Sequence, residues 1–426
     1  MRAISDSLEV PSRSVPRLFR VKQQFDPRCE RDPRGVTREK VLGIGLGSKI
    51  APQSTIAITA GSRGFGGFAE ILAGIVDAVR SVGAQPVIVP SMGSHGGATA
   101  EGQTEILRRL GVEEQSIGAP VRATMETIAL GQSETGAVAH LDKIAAGCDG
   151  IIVLGRVKTH PENAEGVASG LLKMVVVGLG NQIGAQEAHS KGLWDSVEAV
   201  PKVTMSRSKI LCGVAVVENA YRQPVEIAVV PGIYEAFLDA DRRLLKVAQP
   251  HAARLPFEQL DLLIVDEMGK TISGTGMDLN VIGKWRLSGG ARTPDFHRIV
   301  ALSLTRESLG NGLGIGLADF TTERFVREFD AYSTYVNLLT ASESGVMNTR
   351  EGAVPFPAPN DRMAIELAFY SSLGGNQPRI CRIRNTAHLH EFWVSEALLP
   401  EFERHPRLSV ESDGNLLPYD EAGNLF

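Results

Sequence analysis

Apolar and polar positions recur along this chain in the order strand, glycine loop, helix. Ser54 to Ala60 is a run rich in β-branched residues, Gly61-Ser62-Arg63-Gly64-Phe65-Gly66-Gly67 follows it, and Phe68 to Val82 carries apolar residues at helical spacing. Gln85 to Pro90 is a second apolar run that leads into Ser91-Met92-Gly93-Ser94-His95-Gly96-Gly97-Ala98-Thr99, after which Ala100 to Leu110 is again helical in period. Two such units in succession predict a parallel sheet, and in parallel sheets ligands gather beyond the carboxyl ends of the strands. A third exit of the same kind follows the strand Gly150 to Leu154, where the chain reads Arg156-Val157-Lys158-Thr159-His160-Pro161.

The rest of the pattern is coarser. Residues 1 to about 40 are polar, arginine-rich and mixed in charge, and wrap the surface or pair at a sheet edge. Val41 to Ile50 brings Gly43, Gly45 and Gly47 before Ser48-Lys49, which reads as a tight turn because the spacing of a phosphate loop is missing. Val121 to Leu130 predicts a short strand pair, Leu141 to Cys148 and Ser196 to Met205 helices, Lys209 to Val217 and Val225 to Val230 strands, and Tyr234 to Gln249 a helix. A buried strand, Leu260 to Val265, runs into the glycine and polar loop Asp266 to Asp278 and opens a second region. It continues with strand Ile299 to Leu304, helices Thr321 to Glu328, Tyr332 to Leu339 and Arg362 to Leu373, strand Ile380 to Ile383 and a final helix, His388 to Glu403. The expected class is α/β: two α/β domains with mostly parallel sheets, residues 1–258 and 259–426, and an active-site cleft between them.

Composition narrows the partners. The chain has 426 residues, enough for two or three cores, with 43% hydrophobic and 22% charged residues. A formal net charge of −5 gives no field to hold a polyanion, so nucleic acid is not an expected partner. Cys29, Cys148, Cys212 and Cys381 lie far apart without a CxxC pair, which argues against a disulfide framework or a cysteine metal site and for a reducing cytoplasm. Arg13, Arg17, Arg20 and Lys22 precede no apolar segment, and no apolar run reaches transmembrane length, so neither export nor membrane attachment is expected. A small molecule is the expected ligand, and a homo-oligomer is compatible with everything read here.

The candidate chemistry lies at the strand exits. Arg63, His95 and His160 each follow a strand, so three exits bring a cationic or titratable side chain to one edge of a sheet. Beyond His160 an apolar, glycine-rich run, Val-Ala-Ser-Gly-Leu-Leu-Lys-Met-Val-Val-Val-Gly-Leu-Gly, carries Lys173, and His189 follows. Basic groups set into such a run must be paired, deprotonated or bonded, because a lone buried charge is too costly. On these residues alone His95, His160 and His189 also suit three ligands of one metal, as in a zinc-dependent lyase or hydrolase, and a non-catalytic cofactor carrier stays open as well.

The set His95, His160, Lys173 in Ser-Gly-Leu-Leu-Lys, His189 and Gly269-Lys270 resembles the nickel-dependent lactate racemase family, over about residues 40 to 290. The first four are 65, 13 and 16 positions apart. The resemblance implies a nickel-pincer nucleotide, a pyridinium mononucleotide whose ring carries sulfur and carbon donors, supplied by cofactor-biosynthesis proteins. It implies that Lys173 is the covalent tether, a bond that needs a neutral amine in a desolvated place. It implies further that His189 is the nickel ligand, in a planar four-coordinate site that suits nickel(II). His95 and His160 become the two acid/base histidines, one for each hand of a 2-hydroxy acid. Arg63 becomes the bidentate holder of the substrate carboxylate, and Lys270 a second cationic anchor on a C-terminal domain that closes over the cleft. Ser62, Gly96 and Glu267 are expected beside the cofactor or substrate.

Departures from the family pattern bear on the substrate. Ala60 stands where lactate-specific members have an aspartate, Glu267 where a glutamine is expected, and Leu171-Leu172 replaces a glycine-rich approach to the lysine. A carboxylate at Glu267 repels a simple acid unless Lys270 or Lys284 neutralises it. Glu267, Asp278 and Asn280 therefore point to a longer or polyhydroxylated 2-hydroxy acid rather than lactate.

Overall fold

The computed structural model describes residues 14–159, 167, 169–342 and 347–426. The chain divides into two compact units, Pro27–Ala252 with Tyr335–Asn348, and Met1–Asp26 with Ala253–Thr334 and Thr349–Phe426. Both are α/β, as the strand and helix periods predicted.

The unit built on Pro27–Ala252 has a five-stranded sheet in the order Gln85–Pro90, Thr55–Ala60, Gly150–Arg156, Ile210–Glu218 and Pro224–Pro231. The first four run parallel and the last is antiparallel. Ile56 to Ala60 and Gly150 to Gly155 are buried without a break. An uninterrupted apolar strand of this kind suits a parallel sheet covered on both faces. Helix Phe68–Ser81 buries Phe68, Ile71, Leu72, Ile75, Val76 and Val79, the stripe its period predicted. Full burial of side chains of that size is worth about 1.5–3 kcal/mol each. Helix Tyr234–Ala248 packs in the same way through Phe237, Leu244 and Leu245, and also buries Asp241.

Several elements of this unit differ from expectation: the strand pair read within Val121–Leu130 is Thr127–Gln132 with Val138–Asp142, and the tight turn read at Val41–Ile50 contains the helical turn Leu46–Lys49. The polar N-terminal stretch contains a helix, Pro33–Gly43, begun by the Asp32 side chain accepting the Gly35 N–H and by Pro33 in its first turn. The segment around His189, which looks like a polar turn, is the helix Asn181–Ser190. Its buried residues are Asn181, Gly184, Ala185 and Ala188, correctly spaced but too small to register as an apolar stripe.

The other unit has an eight-stranded sheet, in the order Phe356–Ala358, Phe320–Thr322, Asp295–Leu304, Gln259–Met268, Ile380–Asn385, His388–Ser395, Leu18–Gln23, Leu408–Val410. The first five are parallel and the last three join antiparallel. The N-terminal residues Leu18–Gln23 thus sit inside the sheet, between two partners, rather than at its edge. His388–Glu403 is not one helix. Residues His388–Ser395 are a strand paired with Ile380–Asn385, and Glu396–Arg404 is a 3-10 segment. Pairing on both sides decides it, with Ile380–Asn385 and with Leu18–Gln23, and Leu389, Phe392 and Val394 are fully buried in the core of this unit. Among the described residues no helix is long and apolar enough to cross a membrane.

Candidate active site

The two strands at the middle of the site, Thr55–Ala60 and Gly150–Arg156, part before their loops leave them. The pairing of Thr55–Ala60 with Gly150–Arg156 stops at Ile58 and Ile152. Beyond it the Thr59 hydroxyl takes over, accepting the Leu154 N–H at 2.8 Å. Leu154 then forms part of the floor of a pocket of about 170 Å³. Around it stand Ser62 and Arg63 from the first exit, His95 from the second, Arg156 and Lys158 from the third, and Lys173. Phe65, Phe68, Met92 and Met174 supply apolar wall.

Each loop is held by contacts that its glycines permit. At Gly66 an added Cβ would lie 1.7 Å from the Arg222 carbonyl oxygen, so no larger residue fits there without moving backbone. Arg222, itself at φ 63°, donates from its guanidinium to the Gly64 carbonyl at 2.6 Å, and burial lowers its pKa. These two contacts fix the turn that carries Ser62 and Arg63. Gly96 has φ 67° and its Cβ would meet the Gly102 carbonyl carbon at 2.5 Å, which seats the His95 loop on helix Ala100–Arg109. Gln103, fully buried, donates to the Gly93 carbonyl at 2.9 Å. At the third exit the Ser169 hydroxyl accepts the Lys158 N–H at 2.8 Å and donates to the Lys158 carbonyl at 2.6 Å, joining the two sides of the intervening excursion. His160 lies outside the described residues.

Lys173 ends the short helix Leu171–Lys173, which runs directly into a π-turn at Met174–Gly178. The wider π-turn brings the Leu179 N–H onto the Met174 carbonyl at 2.9 Å, and such turns recur at functional sites. The helix start is capped from outside: Asp241 accepts the Leu171 and Leu172 N–H groups at 2.9 and 3.0 Å. Burial pushes the Asp241 carboxyl up to about 7, with the two N–H donors pulling the other way. The Lys173 ammonium lies 5.1 Å from the centre of the Trp194 ring.

Charge in the pocket is cationic, from Arg63, Arg156, Lys158 and Lys173. Arg156 is bound to Glu218, both largely buried. His189 stands on its helix outside the pocket lining, with Nδ1 at 2.7 Å from the Ala185 carbonyl. A carbonyl oxygen can only accept, so Nδ1 is the donor in that bond. Among the described residues no three or more His, Cys, Asp and Glu side chains gather as a metal site; the trio His95, His160 and His189 includes an undescribed member.

Glu267 and Lys270 belong to the other unit. Glu267 accepts from Arg384 Nε at 2.9 Å and Asn385 Nδ2 at 2.7 Å, so neighbours other than Lys270 and Lys284 balance its charge. Lys270 is buried, donates from Nζ to the Gly274 carbonyl and from its backbone N–H to Ser308 Oγ at 2.9 Å. Asp278 caps the turn Leu279–Ile282 through Asn280, a structural task for both.

Sequence reasoning overlooked Ser169, Glu218 and Asp241. Asp241 did leave a signal, since it falls on the apolar face of an otherwise regular amphipathic helix.

No family model and no curated protein sequence matches this chain. Among the solved structures that match is the lactate racemase apoprotein from Thermoanaerobacterium thermosaccharolyticum, at a TM-score of 0.38 and 12% identity over 57% of this chain. The match spans 61% of that chain's length, and a likeness so slight carries no argument about chemistry.

Proposed function

We propose that this protein is a racemase or epimerase of a 2-hydroxy acid that works with a nickel-pincer nucleotide. The observation that carries the reading is convergence: Ser62, Arg63, His95 and Lys173, singled out by residue type and position, line one pocket at the carboxyl ends of parallel strands. Of the two residues that would hold the group, Lys173 lines the pocket and His189 stands outside that lining. Lys173 offers an amine at the pocket wall beside Trp194, and His189 offers Nε2 to a metal because Nδ1 is engaged by the Ala185 carbonyl.

When bound, the nucleotide supplies reversible hydride acceptance. Arg63 holds the substrate carboxylate with its planar fork and so fixes the direction in which the single hydrogen of the carbinol carbon is presented. His95 takes the hydroxyl proton of one hand and His160 gives a proton to the oxygen as the opposite hand forms, the two exchanging roles in the reverse direction. The planar 2-oxo acid between the two hands stays held by Arg63. The cationic lining suits an acid, and the apolar wall of Phe65, Phe68, Met92 and Met174 lies beside it.

The test is to produce the chain together with the cofactor-making enzymes and measure nickel, intact mass and isomerisation of a panel of 2-hydroxy acids. A mass increment that disappears in Lys173→Ala, with turnover lowered about 10²-fold or more in His95→Ala, is expected. Nickel-loaded protein that isomerises no acid of the panel overturns the proposal.

A further inference from the structure

The His95 loop is held by two buried polar side chains, and one of them comes from far along the sequence. Asn337 donates from Nδ2 to Ser94 Oγ at 2.9 Å across 243 positions of sequence. Ser94 is 3% and Asn337 6% exposed. Asn337 lies in Tyr335–Asn348, a stretch that packs with the unit containing the pocket although the chain on either side of it belongs to the other. Three positions on, Thr340 Oγ1 stands 3.5 Å from Gln182 Nε2, so one helix face meets both the loop of His95 and the helix of His189. Ser94 precedes His95 directly, and its carbonyl accepts the Ala98 N–H at 3.1 Å, so its position sets the loop's turn.

We infer that Asn337 is a positioning residue for His95: its hydrogen bond to Ser94 fixes where the imidazole sits in the pocket. The inference rests on the reading of His95 as the acid/base. A buried amide donor bound to a buried hydroxyl is costly to leave unmatched, so the pair admits one arrangement of the loop and resists others. Gln103 holds the same loop from its other side through Gly93, which leaves Ser94 as the point that Asn337 governs.

The experiment needs no cofactor and so fails independently of the racemase reading. Diethyl pyrocarbonate modification of His95 is followed by peptide mass spectrometry against pH, in the full chain, in Asn337→Leu, in Ser94→Ala and in the double variant. His388 and His405 serve as internal references, and thermal melts report folding. Each single variant is expected to change the His95 rate about threefold or more with the reference histidines unmoved, and the double variant to go no further than either. Where Asn337→Leu does not fold, the small substitution Ser94→Ala carries the same expectation. A folded variant whose His95 rate and pH profile match the parent, or single effects that multiply in the double, overturns the inference.

Discussion

Replacing Asp241 by Asn probes the cap on the lysine-bearing helix in a way that pH can read. The carboxyl is 2% exposed, accepts two backbone N–H groups and is pushed up to about 7 by burial. In the folded protein it therefore keeps its proton at pH values where the unfolded chain, titrating near about 4, has lost it. A carboxyl raised on folding contributes its full stability below the unfolded value and loses it as pH rises through the folded one. Between pH 5 and pH 8 the loss comes to about 2–3 kcal/mol. For a unit of this size that is about 5–10 °C in Tm. Asparagine cannot titrate, but its amide nitrogen must face one of the two N–H donors, at a fixed cost of about 1–3 kcal/mol. Asp241→Asn should accordingly melt below the parent at pH 5, with the gap closing or reversing by pH 8. The assay is thermal unfolding by circular dichroism in half-unit pH steps for both proteins. Parallel Tm curves across that range would refute the assignment of a raised, buried carboxyl.

Other consequences are local. Gly66→Ala sets a methyl against the Arg222 carbonyl, which is backbone and cannot swing aside, so a loss of about 2–4 kcal/mol is expected in chemical denaturation, with the Arg63 turn displaced. Glu267→Gln should do far less: Arg384 is mostly exposed, so the lost ion pair is worth under about 1 kcal/mol and Tm should move by no more than a few degrees. A collapse of that unit in Glu267→Gln would mean that the carboxylate has partners beyond Arg384 and Asn385.

Sequence and structure agree most closely where residue size and period both speak. Gln85–Pro90 and the start of Phe68–Ser81 are read to the residue, because large apolar side chains recur at a strand or helix period between glycine loops. The helix Asn181–Ser190 escapes because glycine and alanine fill its buried face. His388–Ser395 misleads because its buried apolar residues, Leu389, Phe392 and Val394, do not alternate and are followed at once by Glu396–Arg404, whose apolar residues extend the run at helical spacing. In the site, residue types are legible one by one: Arg63 and His95 on loops and Lys173 at the end of a short helix stand out against glycine and apolar neighbours. Their supports are not. Asp241 and Asn337 act through partners 70 and 243 positions away, a relation that no local window contains.

The strand Leu18–Gln23 lies between His388–Ser395 and Leu408–Val410, so nearly the whole chain must leave the ribosome before either of its partners exists. The earlier five-stranded sheet has no such wait, since its strands lie between Thr55 and Pro231. During synthesis the pocket's own sheet can close while Leu18–Gln23 remains an unmatched β segment, a template for wrong pairing. Its alternate charges, Arg20 and Lys22 flanking the buried Val21, work against wrong pairing of that waiting edge until residues 388–410 arrive.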